Sequence, residues 1–231
     1  AYQNYKNYIL QNLEKEIELY KDYKNMTKQQ KEELDKKTSK SILEEICKDT
    51  NRTHTEMNFF ITPVDKNVKF TEEEVIKLVK TRRDCTLKNI NEIYKINIQL
   101  THCDIISRIL FIYCKFEPMI SYVQGMNEII STIYYCFSFD RDNDDPIDNV
   151  EADTFWVFYF LMINLKDLFD QHEDSNDNGI SGKLRRLKEM LKVIDHKLYI
   201  YLGEIKFNFS VIGFRWIALM FSQDFEMVDL L

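Results

Sequence analysis

Ser121-Tyr122-Val123-Gln124-Gly125-Met126-Asn127-Glu128 lies between two apolar patterns of helical period, and its reading decides the fold. On the N-terminal side Ile105, Ile109, Ile112 and Phe116 recur at intervals of four, three and four. That pattern ends at Glu117-Pro118, where the proline drives the preceding residue out of the helical region. On the C-terminal side Met126, Ile129, Ile130, Ile133, Tyr134 and Phe137 mark a second buried helix. Met119–Gln124 is therefore expected to be a short connection, with Gln124 at a helix N-terminus. Backbone N–H groups are unpaired there and favour approach to a phosphate or to a partner's carbonyls. Gly125 removes a side chain that would limit that approach.

Helical period dominates the rest of the chain. Tyr5, Ile9, Leu13, Ile17 and Tyr20 form one apolar stripe over residues 1–24, among Lys, Glu and Asn that read as a solvated face. Residues 26–40 are either further helix or a linker. Ser39 or Ser41 is placed to cap a helix through Thr50, with Ile42, Leu43 and Ile46 turned inward. Between Thr53 and Leu100 the pattern is weak, apart from a helix expected over Thr71–Arg82. A polar acidic loop at 138–150 precedes an apolar helix to about Phe169, and a second polar loop covers Gln171–Gly182. Lys183–Val193, with Leu184, Leu187 and Leu191 on one stripe, and helices at about Asp195–Gly203 and Val211–Ser222 complete an all-α, multi-helix architecture.

Bulk properties agree. A chain of 231 residues with 45% apolar residues and 13% aromatics can bury a core, and five Gly and three Pro are too few for a protein of many strands and tight turns. A net charge of −7, with no basic cluster interleaved with aromatics, argues against nucleic acid as a partner. The apolar run Phe155–Leu165 is too short to insert into a membrane. Five scattered cysteines read as reduced thiols in a cytoplasmic protein. The four His residues (His54, His102, His172 and His196) suggest no zinc site and no catalytic triad.

Ser121–Glu128, with Arg108-Ile109-Leu110-Phe111-Ile112-Tyr113 before it, resembles the glutamine-finger region of the TBC-domain family, whose members accelerate GTP hydrolysis by Rab GTPases. That family carries a second signature, Ile-x-x-Asp-x-x-Arg. Ile46-Cys47-Lys48-Asp49-Thr50-Asn51-Arg52, followed by Thr53, matches it, whereas Ile76–Arg82 has Val79 where the aspartate belongs. Helical spacing puts Ile46, Asp49 and Thr53 on one face, and Asp49 and Arg52 within pairing reach. Glu151-Ala152-Asp153-Thr154-Phe155-Trp156 and Phe214-Arg215-Trp216-Ile217 through Phe225 are also similar to TBC segments.

The resemblance implies a TBC domain over 1–231: the N-terminal catalytic subdomain and the beginning of the C-terminal one. In the family, the segment matching Met227–Leu231 continues into further helices. C-terminal truncation is thus expected, with exposed apolar residues near the end as its sign. The implied mechanism uses two fingers in trans, Arg52 stabilising phosphoryl charge and Gln124 holding the attacking water. Ile46, Asp49, Thr53, Tyr122, Gly125 and Asn127 would support them. The partner is a Rab-family GTPase in its GTP-bound form, which brings GTP and Mg²⁺; this chain needs no cofactor of its own. It would work in the cytoplasm, recruited to vesicle or organelle membranes through the GTPase.

Two other readings compete. One is a catalytically silent Rab-binding scaffold. The other is a calcium loop, with Asp140, Asp142, Asp144, Asp148 and Glu151 at positions 1, 3, 5, 9 and 12, but with Asp145 in place of the glycine such a loop needs at position 6.

Overall fold

Most of the expected helices form in the computed structural model, which describes residues 1–18, 25–37, 39–65, 68, 71, 73, 100–139, 146–169 and 179–230. They are α1 (Tyr2–Glu18), α2 (Lys28–Lys37), α3 (Lys40–Thr50), α4 (His102–Phe116), α5 (Met126–Phe139), α6 (Ile147–Phe169), α7 (Ile180–Ile194), α8 (His196–Glu204), α9 (Phe209–Gly213) and α10 (Met227–Leu230). A 3₁₀ turn (Asn58–Ile61) follows α3, and among the described residues the strand-like pairing is one isolated bridge between Pro63 and Thr101. The helix expected over Thr71–Arg82 lies almost wholly outside the described residues. The chain divides into two compact units, Ala1–Trp156 and Val157–Leu231, with α6 running through the division.

In the first unit α4 is the axis. Sequence spacing assigned it one buried stripe, yet every residue from Cys103 to Cys114 is buried, because α1, α3, α5 and the 3₁₀ turn all pack on it. Its polar residues must then find partners inside the protein. The Asp104 carboxylate accepts from the Thr101 backbone N–H at 2.7 Å and caps the helix start. The Ser107 hydroxyl shares a hydrogen bond of 2.8 Å with Thr50 at the end of α3. Arg108 reaches Glu151 on α6, donating from Nε at 2.8 Å and from the guanidinium end at 2.6 Å. Burial pushes the Cys114 thiol up to about 12, so it behaves as a small hydrophobe.

α1 differs from its expected stripe. Ile9 and Leu13 are buried and Tyr5 is half-buried, but Tyr2 and Lys6 complete the inner face. Lys6 Nζ donates to Glu151 at 3.0 Å and to Asp148 at 2.8 Å, and the Tyr2 hydroxyl donates to Glu151 at 2.9 Å. The lysine is read as solvated from sequence because its two carboxylate partners lie more than 140 positions away. Leu43 and Ile46 are fully buried as expected, Ile42 only partly. Ser39 stands at the N-cap of α3 without a side-chain cap; its backbone N–H donates to Glu16 at 2.7 Å instead.

Other boundaries move. α5 continues to Phe139 and α6 starts at Ile147, both inside the loop expected over 138–150; Ile180 likewise opens α7 inside the second expected loop. On α7 Leu184 is buried, while Leu187 and Leu191 are only partly covered. The last expected helix, Val211–Ser222, is not continuous. α9 passes into a π turn over Phe214–Ala218, and Met220 and Phe221 adopt positive φ, which a helix cannot contain. Arg215 holds this break by pairing with Asp224 at 2.7 Å. Exposed apolar side chains, expected near the C-terminus, include Val193, Ile194, Tyr201, Val211 and Phe225. Gly213 lies directly against the buried Leu184, which a Cβ would overlap. Gly213→Ala is expected to destabilise by about 1–3 kcal/mol, measured by urea unfolding.

Candidate functional site

The two motifs meet through buried polar atoms. At the C-terminal end of α3, Asp49 is buried, and its Oδ1 accepts from the Arg52 guanidinium at 2.7 Å. Oδ2 accepts from the Tyr122 hydroxyl at 2.8 Å. The Arg52 side chain is 59% exposed while that of Asp49 is 7%, so the pair projects a fixed cation from a buried anchor. Ile46, one turn earlier and fully buried, fixes the helix against the core. Burial, and then the neighbouring Asp49 carboxylate, push the Tyr122 phenol far above its ordinary range, so it acts only as a neutral donor.

The glutamine segment is a tight turn. Met126 N–H donates to the Val123 carbonyl at 3.1 Å, which places Gln124 and Gly125 at the two central positions. Gly125 has φ 104, a conformation that side chains disfavour, so the glycine is required by the turn itself. Gln124 is exposed. Directly behind it, the buried Asn127 engages both N–H groups and the oxygen of its amide. Its Oδ1 accepts from Gly125 N–H at 3.1 Å and lies 3.1 Å from the Tyr122 hydroxyl. Its Nδ2 donates to the Thr53 hydroxyl at 2.7 Å and to Glu128 at 3.1 Å. Thr53 in turn donates to the Asp49 carbonyl at 2.9 Å.

All the residues singled out by the two motifs therefore gather in one place. Asp49, Thr53, Tyr122, Gly125 and Asn127 form one hydrogen-bonded lattice, Ile46 backs it, and Arg52 and Gln124 stand exposed on it. Tyr122→Phe should remove the phenolic donor from buried Asp49 and cost about 1–3 kcal/mol, read as a lower thermal midpoint.

Of the acidic set, only the last two members fall among the described residues. Asp140, Asp142 and Asp144 lie outside the described residues. Asp148 and Glu151 belong to α6, and Glu151 is fully buried with its oxygens taken by Arg108, Lys6 and Tyr2. Partial burial acts to raise the Asp148 carboxyl, but the Lys6 hydrogen bond and charge outweigh it and hold it below its usual range. Among the described residues no His, Cys, Asp and Glu side chains group to hold a metal ion. No helix among them is long and apolar enough to cross a membrane.

The family model described as Rab-GTPase-TBC domain matches residues 84–231, well over half of the chain. The chain belongs to the Rab-GTPase-TBC domain family. Among relatives of this TBC chain, TBC1 domain family member 13 of Homo sapiens and of Mus musculus are each 40% identical over 130 residues, covering 56% of this chain and 32% of theirs. TBC1 domain family member 22A of Mus musculus is 28% identical over 137 residues, covering 54% of this chain and 26% of its own. The TBC chain thus spans about a third or less of the length of these relatives. A crystal structure of the Ypt/Rab-GAP domain of Gyp1p matches with a TM-score of 0.58 at 16% identity, over 94% of this chain and 59% of that one. That likeness establishes the all-α fold.

The matched residues of the family model include Gln124 but begin after Arg52. The arginine side of the site therefore stands on its motif and on the lattice. Spacing alone did not single out His54 and Glu128, which adjoin this lattice. Their side chains approach each other from segments 74 positions apart, a relation that helical period cannot signal.

Proposed function

We propose that this chain activates GTP hydrolysis by a Rab-family small GTPase in its GTP-bound form, by inserting Arg52 and Gln124 into the partner's active site. The observation that supports this reading is the amide of Asn127, which joins the end of α3 to the glutamine turn and so holds two exposed side chains from separate segments on one buried frame. Preorganisation of this kind lowers a barrier, because the groups need no rearrangement when charge develops.

On this reading, Asp49 engages one of the five N–H donors of Arg52 and leaves the rest of the planar fork for phosphoryl oxygens. The Gln124 amide carries a donor and an acceptor on one group, suited to orienting a water and bonding a phosphate oxygen together. GTP and Mg²⁺ belong to the partner, and the chain itself contributes no cofactor. Residues 1–231 are then one TBC domain, with the catalytic part in Ala1–Trp156. Its place of work is the cytoplasmic face of vesicle or organelle membranes, reached through the GTPase.

The test is single-turnover hydrolysis by a panel of GTP-loaded Rab proteins. Gln124→Ala should lower the stimulated rate by about 10²–10³. A chain that binds a GTP-loaded Rab without accelerating any would be a scaffold instead, and the catalytic reading would be abandoned.

A further inference from the structure

His54 follows the arginine motif immediately and has φ 44, a left-handed backbone held only where surrounding contacts offset its strain. Its side chain is only 9% exposed. Its ring stacks on Phe60 of the 3₁₀ turn, with centroids 5.4 Å apart. Nδ1 stands 3.2 Å from Glu56 Oε1, and Nε2 stands 3.5 Å from Glu128 Oε2 in the first turn of α5. Nε2 is buried and makes no hydrogen bond. Glu56 from its own segment and Glu128 from α5 are charged groups that face the ring.

A carboxylate only accepts hydrogen bonds. A neutral imidazole has one N–H, so with a carboxylate at each nitrogen it must turn a lone pair toward one of them; the imidazolium has an N–H for each. The other oxygen of Glu128 accepts from Asn127, the residue that holds both Thr53 and Gly125. His54 therefore stands two residues from Arg52 and three contacts from the glutamine turn.

We propose that His54 is a positioning residue: as an imidazolium it clamps the arginine segment onto the first turn of α5 through Glu128, and so aligns Arg52 with Gln124. The alignment rests on the function proposed above, whereas the clamp itself does not require a GTPase. Protonation of the imidazole makes the clamp and deprotonation breaks it, so the clamp weakens as pH rises.

The test uses the full chain with His54→Asn, which retains tolerance of a left-handed backbone but cannot become a cation, and with Glu128→Gln. In a double-mutant cycle on the thermal midpoint, the two substitutions should be non-additive at pH 6 and additive at pH 8. In single-turnover assays with a GTP-loaded Rab, the ratio of wild-type to His54→Asn rates should be roughly tenfold at pH 6 and shrink toward one at pH 8. Taking the ratio at each pH removes the GTPase's own pH dependence. Additivity at pH 6, or a rate ratio constant across the range, overturns the proposal. Coupling at pH 6 in a chain that accelerates no GTPase supports the clamp and refutes the proposed function.

Discussion

Arg52→Ala is expected to reduce the stimulated hydrolysis rate by about 10³–10⁵ while the chain stays folded. The two effects separate because the guanidinium is mostly solvent-exposed and its pairing with Asp49 is a single contact at a helix end. Because the Asp49 carboxylate is buried, losing this donor should cost about 1–3 kcal/mol, far less than the loss in rate. Asp49 loses one partner in the variant but keeps the Tyr122 hydroxyl, so the frame survives. Arg52→Lys supplies the charge without the planar fork and should recover only a small part of the rate. Phosphate release in single turnover reads the rate, and circular dichroism on heating reads the fold. If Arg52→Ala keeps its rate while Gln124→Ala loses it, Arg52 is only the ion-pair partner of Asp49.

Glu151→Ala is expected to be the most destabilising single change, at about 3–5 kcal/mol, a large share of the 5–15 kcal/mol typical of a folded domain. Glu151 is fully buried and accepts from Arg108, Lys6 and Tyr2, and the side chains of both cations are themselves about nine-tenths buried. Removing the carboxylate takes the bidentate partner from Arg108 and leaves Lys6 with Asp148, while both cations stay largely shut off from water. The loss should appear as a lower urea midpoint and as early release of α1, whose Lys6 and Tyr2 depend on that carboxylate. Replacing Glu151, Arg108 and Lys6 together by apolar residues of similar size should cost less than Glu151→Ala alone, because no orphan charge remains. If the triple variant proves the worse of the two, the unpaired-charge explanation is wrong.

Legibility from sequence followed the range of each interaction. The starts and stops of α4 and α5 were readable because a helix declares itself in spacings of three and four and in a proline after its last turn. The pairing of Asp49 with Arg52 is local for the same reason. The interruption between α9 and Ser222 was not readable: an apolar helical period runs through a segment that the Arg215–Asp224 pair and two positive-φ residues break. The role of Glu151 was hidden in a similar way. Spacing allowed a cation loop as a competing reading, although the cations that take Glu151 are side chains of α1 and α4.

Composition, period and two short motifs by themselves determined that this is an all-α TBC-type chain, with Arg52 and Gln124 as the residues to examine. Only the tertiary structure decided that Tyr122, Asn127 and Thr53 are one continuous bridge between them, that Gly125 serves the turn, and that Glu151 is a buried counter-ion. Helical period is a repeat of neighbours along the chain. The Asn127–Thr53 and Glu151–Lys6 contacts join residues 74 and 145 positions apart, and nothing in a local pattern encodes which distant donor will reach which buried acceptor.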